Sequence, residues 1–425
     1  MKPDGKLGLP FRGMTPQDSS PRSLRGYVDL LRSSRDFRLL FTASVISLAG
    51  DWFLTVALLD LVLAMSGSAT LASLMTVCQT LPVFFMAPFA GHLIDRLDRK
   101  KLMIGVDLSR VGAALLPLLA RTPAMLWLAF AGVIMISVGA SIFNPASNAA
   151  LPNMVTAEEL PRANVLFGST WGTMLAVGAA LGGLATMKLG RDASFVIDAV
   201  TFLASAFLIS RIRAPFSEVR ERSHEMPGLR EAIRQTWVYA KENPRVMALL
   251  TSKGGYGIGA GVVAMLSVFG RQVFHAAAGG IGVLYAARGI GALIGPFIVR
   301  GVSRTPDQEY RLISIAIFVF GIGYVGLAFS PSLWIGAAAV VLAHLGGGAQ
   351  WMTSTYGLQR EVPDWVRGRV FATDYGLVTL TMSISSLVAG VGADRIGPVI
   401  ATAGVASLCV LWAVVWGIGT RRLWR

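Results

Sequence analysis

"GHLIDRLDRKK", residues 91–101, follows a run from Leu61 to Ile94 that contains no Asp, Glu, Lys or Arg. Asp95, Arg96, Asp98, Arg99, Lys100 and Lys101 then arrive within seven positions. A chain that stays uncharged for so long and turns so abruptly polar is leaving an apolar medium for water.

Further uncharged runs occupy 122–157, 163–187, 312–359, 375–393 and 396–420. A helix needs ~20 apolar residues to cross a bilayer's hydrocarbon, so each run holds one or two crossings. The turn signal "SPS" at 330–332 divides the longest of them. The 425 residues are 54% hydrophobic and 15% charged, with a mean hydropathy of +0.60. That is more apolar segment than one soluble core can enclose. The expected fold class is all-α integral membrane, with twelve transmembrane helices in two six-helix pseudo-symmetric bundles. The spans read as 37–65, 69–91, 102–120, 123–150, 164–187, 193–211, 246–269, 279–300, 311–329, 333–357, 370–393 and 397–418.

The net charge of +14 would suit nucleic acid in a soluble chain. Its placement says otherwise. With the N-terminus inside, the outer loops hold Arg121, Lys188, Arg191, Arg271 and Arg395, and the spans hold Arg110, Lys253 and Arg288. The other 30 of the 38 Lys and Arg lie on the side of the termini. The positive-inside rule then puts both termini in the cytoplasm of a multi-pass plasma-membrane protein, with the bilayer and no nucleic acid as partner. Cys78 and Cys409 sit far apart in apolar segments, and His92, His224, His275 and His344 are scattered. Neither a disulfide framework, a metal site nor a cofactor is expected.

The organisation that follows is a polar, basic tail over 1–36 without a signal peptide, bundles over 37–211 and 246–418, and a short tail over 419–425. The linker 212–245 contains "GLREAIRQTWVYAKENP", with Leu229, Ile233, Trp237 and Val238 at helical spacing. It reads as an amphipathic helix on the membrane surface, a solvated connector being the plainer alternative. The bundles repeat weakly. "GHLIDR" (91–96) and "GPFIVR" (295–300) share Gly, Ile and Arg, and the basic turns at Arg162 and Arg367 recur at nearly the same offset. Duplicated halves about a shared site are a transporter architecture.

"GHLIDRLDRKK" resembles the loop 2–3 signature of the major facilitator superfamily, Gly-x-x-x-Asp-Arg-x-x-Arg-Lys/Arg, with Gly91, Asp95, Arg96, Arg99 and Lys100 in its key positions. "RDFRLLF", "GDW", "FNPASNAALPNMV" and "VRGRVF" are similar to the branch that includes macrolide-efflux proteins and the enterobactin exporter. The second-half copy has Val299 where Asp95 stands, and "GAALGG" (178–183) has Ala179 where the related antiporter motif has proline. The resemblance implies a loop that latches the halves. Gly91 allows close helix approach, Asp95 accepts from a helix N-terminus, and Arg96 and Arg99 bridge to neighbouring spans. Enforcing orientation is the blander role of Arg99, Lys100 and Lys101. Gly178, Gly182 and Gly183 are the helix-packing residues of span 5.

An ionisable group within hydrocarbon is unfavourable unless paired or wetted, so each is a functional candidate. Asp51 lies fourteen residues into span 1, ~21 Å along it at about 1.5 Å per residue, near the midplane. It reads either as a proton-titrating carboxylate or as a structural Asp that packs span 1 on span 5. Asp60 points to the opposite face and reads as a solvated rim charge; Asp198 reads as structural. Asp107 and Arg110 can pair in span 3 and extend the loop 2–3 latch, as can Asp374 of span 11. Arg288, deep in span 8, could bind an anionic substrate group or offset Asp51, or pair structurally. Lys253 is free to snorkel toward the cytoplasm. Gln79, Asn144, Trp171, Tyr256, Gln350 and Tyr375 are candidate cavity residues.

The duplicated halves point to a secondary transporter, with Asp51 the leading proton carrier. The resemblance implies a monomer that exports a small amphipathic molecule, a drug, macrolide or siderophore, and the residues themselves leave uptake open. No P-loop is present for ATP-driven transport. A lipid-like-molecule flippase of the same fold is the first alternative. An integral-membrane enzyme is another, although no nucleophile–base or metal set supports it; a membrane sensor would need a signalling domain that the tails are too short to hold.

Overall fold

The computed structural model describes residues 24–216, 229–303 and 305–424. Twelve helices among them are long and apolar enough to cross a membrane: spans 1–12 are Arg35–Ser66, Ala69–Met86, Arg99–Leu119, Pro123–Asn153, Leu160–Leu189, Arg191–Ser210, Pro244–Val273, Ala277–Val302, Asp307–Ala328, Leu333–Glu361, Val366–Ile396 and Pro398–Leu423. Several run past the boundaries read from hydropathy. Backbone groups leaving lipid still need partners, and caps supply them. Ser34 accepts from Phe37 N–H and Ser68 from Leu71 N–H. The decisive stretch is such a junction. The helix of span 2 continues to Arg96, and Asp98 accepts from Lys101 N–H to start span 3, so two helix ends meet around Leu97 and Asp98.

Two shorter helices lie beside the spans. One, Leu24–Ser33, falls within the stretch read as a tail. Leu30 is buried, and Ser34 Oγ donates to Met154 O at 2.8 Å, which ties this segment to the end of span 4. The other is the linker helix, Leu229–Glu242. It docks on span 11: Arg369 Nη1 donates to Gln235 Oε1 at 2.6 Å, and the Thr373 and Thr236 hydroxyls lie 3.2 Å apart. This contact ties the linker helix to the second half. Residues 1–23 and 217–228 of the tail and linker lie outside the described residues.

Packing reveals the duplication that sequence carries faintly. In the first half span 1 packs on 5 and 6, span 4 on 2 and 3, and span 3 on 6. Adding six to each number gives the second half: 7 on 11 and 12, 10 on 8 and 9, 9 on 12. The halves meet through spans 5 and 8 and through spans 2 and 11, and these two seams exchange under the same shift of six. The two six-helix bundles are thus related by an internal two-fold.

Small residues make the seams close. A Cβ added to Gly183 of span 5 would lie 2.8 Å from Gly282 Cα of span 8 and 3.0 Å from Ala278 O. Gly178 and Gly182 face span 1 instead, where a Cβ on Gly182 would sit 2.9 Å from Phe53 Cα.

Candidate functional site

Arg110 is the hub of the first half. Its Nη2 donates to both carboxylate oxygens of Asp51 at 3.3 Å, and its Nη1 donates to Ser47 Oγ at 3.2 Å and to Asp107 Oδ1 at 3.5 Å. The Phe202 ring centroid lies 4.2 Å from its Cζ. Asp198 of span 6 stands alongside, accepting from Thr201 Oγ1 at 3.2 Å against Gly50, the neighbour of Asp51. Three carboxylates from spans 1, 3 and 6 thus converge on one guanidinium. Asp107, Asp198 and Arg110 are buried, while the Asp51 side chain is 26% exposed. Asp107 Oδ2, Asp198 Oδ2 and Arg110 Nε have no hydrogen-bond partner among the described residues.

This arrangement corrects three expectations. Asp107 and Arg110 do not extend the loop 2–3 latch, because the face of span 3 that carries both packs on span 6. Asp51 is tied to span 3, not packed between spans 1 and 5. Asp198 belongs to the cluster.

Among the described residues, the second half holds one buried ion pair. Lys253 Nζ of span 7 donates to Asp374 Oδ2 of span 11 and to Thr355 Oγ1 at 3.0 Å, and lies 4.8 Å from the Trp351 ring centroid. Lys253 therefore does not snorkel, and Asp374 serves this pair and not the latch. Gln350 is buried and its Nε2 donates to Ser252 Oγ at 3.4 Å; Tyr256 is buried against Phe320 with ring centroids 4.8 Å apart. Both are packing residues here. Gln79 Nε2 donates to Thr55 Oγ1 of span 1 at 3.0 Å, and Asn144 is exposed.

Between the halves lies a hollow that helix periodicity locates. Trp171 of span 5 is 48% exposed, Trp351 of span 10 is 36% exposed and Tyr375 of span 11 is 44% exposed. Nine residues turn a helix through about 900°, to its opposite face. Nine residues from these three lie Ala180, Leu342 and Ile384, exposed members of the outward apolar surface. The aromatic rings therefore face inward, into open space. Arg288 of span 8 obeys the same rule, with Phe297 of the outer surface nine residues on. Its Cζ lies 5.8 Å from the Trp171 ring centroid, across the seam, and 5.9 Å from that of Tyr285, which in turn meets Trp52 of span 1 at 6.0 Å.

At the loop 2–3 corner the side chains of Gly91 and Asp95 lie outside the described residues, and Arg96 is exposed. Arg99 is buried and does more than set orientation: it donates to Ile94 O, to Ala149 O and, at 3.1 Å, to Phe216 O. Lys100 Nζ donates to Ile212 O at 2.7 Å. Together they staple the corner to the ends of spans 4 and 6.

The far end, opposite the termini, is closed. Asp60 is no solvated rim charge; it is buried, accepts from Arg191 Nε at 2.5 Å and accepts from Arg271 Nη1 of the second half. Asp394 at the end of span 11 accepts from Ser68 Oγ at 2.7 Å and from the N–H groups of Ala69 and Thr70. It thereby caps span 2 across the seam, a contact the sequence reading missed. Gln272 Nε2 donates to Gly67 O at 2.8 Å. Beside this clasp lies an open cavity of about 670 Å³ lined by Asp60, Arg121, Arg191, Asp192 and Arg271 and by apolar residues such as Leu61, Met65 and Met187. It is a vestibule of mixed charged and apolar lining at that end, distinct from the aromatic hollow.

Residues 31–422 match the profile of a family described as transmembrane secretion effector. The chain is 24% identical over 366 residues to macrolide efflux protein A of Streptococcus pyogenes, covering 85% of this chain and 90% of that one. It is 25% identical over 372 residues to the multidrug efflux pump Tap of Mycolicibacterium fortuitum, covering 84% and 89%. It is 24% identical over 357 residues to a putative bacilysin exporter of Bacillus subtilis, covering 82% and 86%. Among solved structures, a bacterial homologue of the human lysosomal transporter Spinster, inward-facing and unoccupied, superposes with a TM-score of 0.69 at 15% identity, covering 94% of this chain and 98% of that one. A POT family transporter gives 0.73 at 9% identity, with 92% and 97% covered.

Proposed function

The chain belongs to the transmembrane secretion effector family of the major facilitator superfamily, and from that membership we propose that it exports small amphipathic molecules by alternating access, driven by protons. The termini lie in the cytoplasm of the plasma membrane, the working unit is a monomer, and the halves 37–211 and 246–418 rock about the aromatic hollow. What supports the reading is the clasp between the halves at the far end together with Trp171, Trp351, Tyr375 and Arg288 exposed between them. Macrolide and multidrug efflux among the relatives supports export as the direction.

Asp51 is the coupling residue. It is the wettest member of a cluster with more carboxylate than cation, and a proton on it releases Arg110. Gain or loss of that proton changes how spans 1 and 3 are held together, which links charge movement to helix movement. Asp95, Arg96 and Arg99 at the span 2–3 corner latch the opposite state. The test is flux of a panel of amphipathic compounds, a macrolide and an aromatic carboxylate among them, in proteoliposomes with an imposed pH gradient. The wild-type protein accumulates substrate against its gradient, whereas Asp51→Asn equilibrates it without accumulation. Accumulation by that variant with the wild-type pH dependence would remove the proton role.

A further inference from the structure

Arg110, Lys253 and Arg288 are the cationic side chains inside the spans read from hydropathy, and the first two are held in ion pairs. Arg110 serves Asp51, Asp107 and Ser47; Lys253 serves Asp374 and Thr355. Arg288 has no hydrogen bond and no ion pair among the described residues, and its Nε is buried without a partner. A half-buried guanidinium with a buried, unpaired Nε facing a hollow is a ready site for an anion, which supplies the missing acceptor. We infer that Arg288 anchors the anionic group of the transported molecule. On the export reading, from which this follows, the substrates are small carboxylates or related anions joined to a flat apolar body.

The surroundings fit that chemistry in three ways. Arg288 faces the hollow, opposite the exposed stripe of Ile290, Ile294 and Phe297 on its own helix. The rings of Trp171 and Tyr285 flank the guanidinium at 5.8 and 5.9 Å from their centroids, so the apolar part of a ligand has aromatic faces beside its charge. Trp171 belongs to the first half and Arg288 to the second, and the helices that carry them meet at Gly172, where a Cβ would lie 3.7 Å from a Leu293 methyl. A ligand held between the two spans the seam and reports movement of one half to the other. A guanidinium also binds a carboxylate through two parallel N–H donors, which a neutral amide cannot match.

The probes are dansyl-leucine and dansyl-leucinamide, equal in shape and different in charge. Binding to the full-length purified protein is read by energy transfer from tryptophan. The wild-type protein should bind the acid at least about tenfold more tightly than the amide. Arg288→Gln should collapse that ratio to about one, and Arg288→Lys should keep part of it. Octanoate and lysophosphatidylglycerol then compete against the acid: displacement by octanoate assigns the site to soluble carboxylates, and displacement by the lysolipid alone assigns it to an anionic lipid headgroup. Equal affinity of acid and amide for the wild type, or equal loss of both in Arg288→Gln, overturns the inference. Because binding is read without flux, selective binding by a protein that moves nothing in liposomes fails the transport reading and keeps the anion site. Flux of the amide as fast as the acid fails the site alone.

Discussion

Arg271, near the end of span 7, donates to the Asp60 carboxylate that Arg191 of span 6 also holds at 2.5 Å, so one acid at the end of span 1 joins a cation from each half. The acid is buried, while the arginine side chains are 31% and 26% exposed. Asp60→Asn should therefore weaken the closed end by about 1–3 kcal/mol, less than the ~3–5 kcal/mol of a fully buried pair. The measurement is thiol labelling of a cysteine placed at Ala278, in the vestibule: it should speed up in Asp60→Asn, and an unchanged rate would show that the clasp does not hold the end shut.

Arg110→Gln should be far more damaging than Asp51→Asn. It leaves Asp51, Asp107 and Asp198 facing one another with no cation, a loss of about 3–5 kcal/mol. The monodisperse yield and the thermal midpoint should both fall, and Asp51→Asn added to Arg110→Gln should restore part of each. Additive losses in the double variant would show that the groups are not coupled.

Lys253→Met and Asp374→Asn should each destabilise the second half by about 3–5 kcal/mol, since the removed partner leaves a charge buried. The double substitution should recover more than half of either loss. Thermal unfolding of the four proteins in one detergent gives the coupling, and none beyond error would refute the pair.

Gly183→Ala and Gly182→Ala test two kinds of contact with one chemistry. Each adds a Cβ about 3 Å from backbone of another span, an overpacking of about 1–3 kcal/mol. Both should lower the thermal midpoint, but Gly183→Ala alone should raise labelling at the far end, because its partner Gly282 is in the other half. Equal labelling of the two variants would mean that the seam is not sensitive to that methyl.

The fold was legible because its determinant is one-dimensional: a run long enough to cross lipid has few other homes. All twelve spans were countable from apolar runs between charged or Pro/Gly-rich breaks, and their ends were blurred because caps such as Ser34 and Asp98 lie in polar sequence that hydropathy discounts. The site was legible residue by residue and illegible as a network. Asp51 and Arg110 both stood out as charges in lipid, yet 59 positions separate them, and no spacing rule says that spans 1, 3 and 6 bring them together. Asp60 misled for the same reason: its partners, Arg191 and Arg271, lie on two different helices. Asp394 carried no intramembrane signal at all, since an acid at a span end looks like any loop charge until the N-terminus it caps is placed beside it.

The two seams are equivalent by duplication but not by chemistry. Between spans 5 and 8, backbone touches backbone at Gly183 and Gly282. Between spans 2 and 11, Asp394 grips three donors. A rocking protein would then have a bearing on one flank and a bolt on the other, so the outer gap would start on the Asp394 flank and travel toward the glycines, tilting the mouth as it widens.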